Sequence, residues 1–304
     1  MRARRVLSIF CLVLTSCGAR SEIRGGTSDA SVPSDAGNDA ATTSCASGVV
    51  QLATTGLQPD TIVLDGEWVY WHDATGIFRM KKSGGGSETL GHPIVSFWPD
   101  LAAFGAADGH LFWQNGVGVA TSKKHVFQWS RDELPTALVR FDFDGSNETQ
   151  VAVLQHEPID MTFTSSESPC IAEDPGVECG GQLLSGLTAT DIAVSGNDVF
   201  FTSNDSTNGA RVMHLVMPSL KTAPIADTTG AFAIARDDSD LFFTDGLGLR
   251  VRRIEGKTGP VVDVASDPGF GPIDIVVDDT CVYWTASSRF DKTGTGVVMA
   301  APKK

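Results

Sequence analysis

The sequence of 304 residues predicts an all-β fold, a six-bladed β-propeller, and three observations carry that prediction. A ten-residue phrase recurs: IVLDGEWVYW from Ile62, FGAADGHLFW from Phe104, IAVSGNDVFF from Ile192, IARDDSDLFF from Ile234 and IVVDDTCVYW from Ile275. Each copy reads as an apolar strand, a polar turn and a second strand that ends in an aromatic pair. The copies start about 42 residues apart, with one gap of about twice that length, so one unit is hidden. Finally, the chain stops at GVVMAAPKK, a third strand without a fourth, while VVQLAT from Val49 stands as a spare strand ahead of the first phrase.

The elements follow in order from the N-terminus. Arg2, Arg4 and Arg5 precede the apolar run VLSIFCLVL, and Leu14, Thr15 and Ser16 precede Cys17. Residues 1–16 therefore read as a signal peptide, since the run is far short of the ~20 residues that cross a bilayer. The tetrad LTSC resembles the lipobox of bacterial lipoproteins. That resemblance implies that Cys17 is lipidated and becomes the mature N-terminus, the competing reading being cleavage without a lipid. Gly18 follows the Cys where an Asp would mark inner-membrane retention, so the resemblance implies the outer membrane or cell surface of a Gram-negative bacterium. Residues 17–44 hold only Ile23 and Val32 as large apolar side chains. Such a segment cannot offset the entropy of ordering it and is expected to be a flexible tether, with a reach of roughly 25–30 Å.

Residues 45–304 form the propeller. Inner strands are expected near residues 62, 104, 159, 192, 234 and 275. The hidden unit is PIDMTF from Pro158, which matches PIDIVV from Pro272, and CIAED from Cys170 stands where CVYWT stands at Cys281. The second unit is too long: NGVGVATSKKHVFQWSRDELPT, between Trp113 and Leu138, reads as a surface insertion, a place where binding is often found. Third and fourth strands follow as GIFRMKK then SETLG, LVRFDFDG then TQVAVL, and RVRRIEG then PVVDVAS. A ring must close because an open blade edge leaves unpaired backbone groups. VVQLAT, which matches VVDVAS from Val261, is expected to supply the fourth strand of the last blade.

Four cysteines remain after export: Cys45, Cys170, Cys179 and Cys281, which allow three pairings. Cys170 and Cys179 are close enough for a local disulfide, which leaves Cys45 to staple the ring closure to Cys281. The alternative for Cys281, inside an apolar strand, is a buried thiol. The formal net charge is −14, falling to about −17 once three arginines leave with the signal peptide. Phosphate binding needs concentrated Lys and Arg, so nucleic acid is excluded as a partner. The expected species is a monomer that meets the membrane through its lipid only.

The pieces VYWHD at Val69 with RMKKSGGG at Arg79, and VYWTA at Val282 with VVMAAPKK at Val297, resemble six-bladed propellers of the YWTD and TolB-like kind. They resemble more closely exported bacterial lipoproteins whose repeats read VYWT, then RxPKxGG, then LA. The resemblance covers residues 46–304, departs in the second and third blades, and implies a scaffold, not a defined activity.

Few motifs suggest chemistry. DFDGSNET from Asp142 lacks a third acid and a Glu at the twelfth position, so it reads as a turn, not a calcium loop. SGGGS at Ser83 has no helix after it and is a hairpin. His72, His92, His110, His125, His156 and His214 show no ligand spacing, and no nucleophile motif occurs. The aromatic column Tyr70, Phe112, Phe200, Phe242 and Tyr283, flanked by Trp71, Trp113 and Trp284, is expected to pack between blades. One constellation remains. Just ahead of each inner strand's apolar residue stand Thr61, Ala103, Asp160, Asp191, Ala233 and Asp274, at positions that face the channel mouth in a propeller. Asp160, Asp191 and Asp274 form either a metal site, with calcium the candidate cation at the channel mouth, or a solvated funnel. Against these stands the reading in which each Asp accepts a backbone hydrogen bond at its strand start. The function expected is a non-catalytic binding or scaffolding module for an unknown protein or envelope ligand. The alternative is a metal-dependent, lactonase-like hydrolase.

Overall fold

The computed structural model describes Cys45 and residues 48–303, apart from residues 74, 92–103, 108–109, 114–116, 123, 131–134, 143–145, 157, 174–175, 206–208 and 289–293. The expected signal peptide, Cys17 and the tether lie outside the described residues.

Six antiparallel four-stranded sheets form the blades of a six-bladed propeller. Blade one is β2 (Pro59–Asp65), β3 (Trp68–Asp73), β4 (Gly76–Lys81) and β5 (Glu88–Gly91), preceded in the chain by β1 (Val50–Thr55). A two-stranded ribbon follows, β6 (Phe104–Ala107) and β7 (His110–Trp113). Blade two is β8 (Val117–Thr121), β9 (His125–Ser130), β10 (Thr136–Asp142) and β11 (Thr149–Leu154). Blade three is β12 (Asp160–Phe163), β13 (Pro169–Glu173), β14 (Gly176–Cys179) and β15 (Gln182–Ser185). Blade four is β16 (Asp191–Ser195), β17 (Asp198–Asp205), β18 (Gly209–Val216) and β19 (Lys221–Thr228). Blade five is β20 (Ala231–Arg236), β21 (Leu241–Asp245), β22 (Arg250–Ile254) and β23 (Val261–Ser266). Blade six is β24 (Gly271–Val277), β25 (Cys281–Ser287), β26 (Gly296–Pro302) and, at its outer edge, β1.

The closure is the one the spare strand predicts. β1 runs antiparallel to β26, with Val50 opposite Ala300 and Thr55 opposite Gly296. Cys45 is disulfide-bonded to Cys281 at the start of β25, with Cα atoms 6.2 Å apart, and Cys170 to Cys179 across β13 and β14, 4.1 Å apart. Blade three forms from the worn copy as expected, with Met161 opposite Ile171.

Blade two differs from the expectation. The segment read as an insertion supplies its inner half, β8 and β9, while FGAADGHLFW becomes the separate ribbon, lying between β2 and β8. The physical reason is pairing: β9 meets β10 from Gln128 opposite Val139 to His125 opposite Asp142, whereas among the described residues β7 pairs only with β6.

The aromatic pairs explain how four-stranded blades bury both of their faces. Both faces of a blade are interfaces, and successive side chains point to opposite faces. The first aromatic of one blade therefore meets the second aromatic of the next. Phe200 shares a core with Phe243, Phe242 with Trp284, and Tyr283 with Trp71. All six are almost wholly buried. Each contributes roughly 1.5–3 kcal/mol through area removed from water. In blade two this part is played by Phe127, stacked on Phe163 of blade three at 4.0 Å.

Strand alternation gives the ring two faces. Inner strands begin at the mouth face, where the second-to-third strand loops also lie. The turns that follow the first and third strands lie on the opposite face, called the near face below.

Candidate functional site at the channel mouth

Asp160 and Asp191 are the first residues of the inner strands β12 and β16, and Asp274, next to the bulge between Pro272 and Ile275, takes the matching place in β24. Their oxygens are engaged with backbone. Asp274 Oδ1 accepts the N–H of Ile275 at 2.8 Å, and its Oδ2 accepts the N–H of Ile62, in blade one, at 2.8 Å. Asp191 repeats the pattern, accepting Ile192 N–H at 2.6 Å and Ile234 N–H of blade five at 2.7 Å. Asp160 reaches forward to Ile192 N–H at 3.2 Å, so it shares a donor with Asp191. Each acid is thus a clasp from one blade to the first apolar residue of the next phrase.

The electrostatic consequence is proton retention. Solvent touches the edges of these side chains, but protein encloses the rest. Withdrawal from water, with Asp160 beside it and Asp274 farther off, holds the Asp191 carboxyl well above the ordinary carboxylate range. Burial pushes Asp274 up to about 7, even though two N–H donors pull the other way, and Asp160 and Asp60 add to the rise. Asp60 is a fourth acid at the mouth that the phrase alignment missed. The alignment placed Thr61 in register, but β2 is bulged between Pro59 and Thr61, leaving Asp60 as the extra residue. Among the described residues, no three His, Cys, Asp or Glu side chains are grouped to hold one metal ion.

Threonine ties the junctions too, both where Ala233 replaces the Asp and beside Asp191. Ala233 N–H donates to Thr244 Oγ1 at 2.9 Å, and that hydroxyl donates to the carbonyl of Ile273 in blade six at 3.3 Å. Thr202 likewise donates to Phe232 O of blade five at 3.2 Å. After the Phe200–Phe201 and Phe242–Phe243 pairs, the next residue, Thr202 or Thr244, is therefore an inter-blade tie.

The near face carries a second belt. Lys82 binds Asp278 at 2.9 Å, joining blades one and six; Lys303 binds Asp237 at 2.6 Å, joining six and five; Lys257 binds Asp198, joining five and four. In each case a Lys behind a third strand meets an Asp at the first turn of the preceding blade. Between blades two and three, Glu167 takes this part: one oxygen accepts Ser122 Oγ at 2.8 Å, and the other lies 2.6 Å from His125 Nδ1. The opposite ring nitrogen of His125 is 3.4 Å from Asp142. The recurrence of Lys behind RMK and RRIEG was visible in the sequence; its partner one blade away was not. At the DFDGSNET turn, Asn147 donates to Asp142 at 2.6 Å, as turn chemistry requires.

No family model and no curated protein matches the chain. Solved structures do. Virginiamycin B lyase from Staphylococcus aureus is similar at 12% identity and a TM-score of 0.56, covering 82% of this chain and 97% of that one. A luciferin-regenerating enzyme is similar at 12% identity and TM-score 0.54, covering 84% and 95%. The PQQ-bound aldose sugar dehydrogenase from Streptomyces coelicolor is similar at 12% identity and TM-score 0.52, covering 83% and 98%. These likenesses establish the fold, and the chemistries named for the three proteins differ from one another.

Proposed function

We propose that this chain is an exported, lipid-anchored propeller that works as a non-catalytic binding or scaffolding module at the outer membrane or cell surface. One observation carries the reading: the acids that a hydrolytic centre at the mouth would draw on are committed to the ring itself. Both oxygens of Asp191 and both of Asp274 already accept N–H groups. A cation there would have to share carboxylates whose N–H bonds join blade four to five and six to one. The two disulfides accord with an oxidising compartment and hence with export.

The second reading is a metal-dependent, lactonase-like hydrolase, favoured by the convergence of Asp60, Asp160, Asp191 and Asp274 on one opening. Calcium titration with thermal unfolding separates the two. The binding module predicts less than one calcium per ten chains in elemental analysis and no rise in melting temperature with millimolar calcium, to within about 1 °C. Stoichiometric calcium, with a rise that disappears when Asp160, Asp191 and Asp274 are all changed to Asn, would replace the module with the hydrolase.

A further inference from the structure

The seam between blades two and three is built differently at its two ends. On the near face Glu167 of blade three meets Ser122 and His125 of blade two, and farther in Phe127 stacks on Phe163. Toward the mouth the same face of blade two presents Trp129, in one core cluster with Leu154, Met161 and Ile171. Trp129 is 6% exposed, and its indole N–H is buried without a hydrogen-bond partner among the described residues. Buried donors are as a rule paired, because a bond left unmade costs the full desolvation of the group.

Blade three turns acceptors toward the same end of the seam. Side chains two apart on a strand share a face, so Glu173, the last residue of β13, follows Ile171 toward blade two, and Glu178, opposite Ile171 in β14, does so too. Glu173 is 4% exposed, and the imidazole of His156, half exposed in the link from β11 to β12, lies 3.5 Å from its Oε1. Burial, and after it the charge of Glu173, hold the Glu178 carboxyl above the ordinary carboxylate range, with His156 pulling the other way. Leu183, opposite Glu178 in β15, adds an aliphatic surface that is 55% exposed.

This mixture of groups selects the chemistry of a ligand. An ammonium would suit the carboxylates but would set donor against donor at the indole, and a carboxylate or phosphate would suit the indole but would meet two acids. A hydroxyl serves both, accepting from Trp129 and donating to Glu173. A sugar ring carries several hydroxyls together with an apolar C–H face that matches Leu183. We infer that the mouth end of the seam between blades two and three is a saccharide-binding site, in which Trp129 Nε1 donates to a sugar hydroxyl and Glu173, Glu178 and His156 hold its neighbours. The site lies apart from the Asp clasps of the channel mouth. It gives the binding module proposed above a class of ligand, and it depends neither on the lipid anchor nor on calcium.

The tryptophan itself is the reporter. In the whole exported protein labelled with nitrogen-15, the indole signal lost on Trp129→Phe identifies Trp129, and Phe keeps an aromatic ring in the core while deleting the donor. D-Glucose, D-galactose, D-mannose and N-acetyl-D-glucosamine are titrated one at a time to about 50 mM, enough to reveal millimolar affinity. With at least one of them the Trp129 indole signal is expected to shift saturably while the other indole signals move little. Trp129→Phe and, separately, Glu173→Gln should each weaken binding about ten-fold or more by calorimetry while still melting cooperatively. No saturable shift with any of the four sugars overturns the site. Binding that both variants leave unchanged puts the sugar elsewhere and overturns it equally. If Trp129→Phe fails to fold, Glu173→Gln against the parent decides by calorimetry alone. The presence of lipid or calcium enters none of these readouts, so this inference and the reading of the channel mouth fail separately.

Discussion

One carboxylate of Asp274 holds two successive residues of the ring, Ile275 in its own blade and Ile62 across the closure. It does so in a place where charge is costly, and this makes stability depend on pH with a definite sign. Asp274 is raised to about 7 and Asp191 also stands well above its ordinary value. The folded form thus keeps protons that an unfolded chain gives up near pH 4. Their contribution is complete below about pH 4 and is lost as pH rises through about 7 for Asp274. Asp237 acts oppositely: lowered to about 2 chiefly by Lys303 and by N–H donors at its turn, against the opposing effect of burial, it loses its contribution only as pH falls below about 4. The melting temperature should therefore fall between pH 5 and pH 8. Asp160→Asn removes the nearest charge to Asp191 and offers it an amide donor. This variant should melt about 2–5 °C higher than the parent at pH 8 and show a flatter pH profile. An equal loss at pH 5 and pH 8 would mean that Asp160 acts only as an acceptor for Ile192.

At the scale of elements, the ring is held by a strand and a bond that do the same job. Gly296, opposite Thr55, leaves no space for a side chain: an added Cβ would lie 2.1 Å from Pro59 Cδ. The Cys45–Cys281 bond spans 236 residues and closes the ring, whereas Cys170–Cys179 spans 9 within one hairpin. Removing the first by Cys45→Ser with Cys281→Ser should cost roughly 2–5 kcal/mol in urea unfolding, and removing the second distinctly less. Equal losses would show that closure by β1 needs no staple. This closure was legible because VVQLAT and VVDVAS are nearly the same strand in two places. The worn third blade was legible from PIDMTF and from CIAED, which stands where CVYWT stands in the last blade. Blade two was not. FGAADGHLFW is the better copy of the phrase, and VGVATSKKHVFQW hides the same strand, turn and strand behind a lysine-rich turn. Only the pairing of β9 with β10 decides which hairpin belongs to the sheet. The Asp clasps were legible as residues but not as bonds, since Asp274 and Ile62 stand 212 positions apart.

For the whole molecule, the order in which the strands are threaded matters less than the ring they complete. β26 ends on the near face and β1 begins there, so the two could be joined by a short hairpin without crossing the blade. A permuted chain that starts at Leu57, runs to Lys303 and continues through about four Gly and Ser residues into residues 45–56 keeps every paired strand. It also converts the closing strand from the far end of the chain into a neighbour of its partner, lowering the entropy cost of closure. The permuted protein should fold with the same circular dichroism, melt no lower than the parent, and refold from urea at least as fast. A chain lacking residues 45–56 altogether should fail to fold, because β26 would present an open edge and Cys281 would lose its partner. If the permuted chain also failed while remaining soluble and correctly disulfide-bonded, β1 would have to act in some way other than as the fourth strand of blade six. If the truncated chain folded as stably as the parent, the ring would be held by its inter-blade cores and clasps alone.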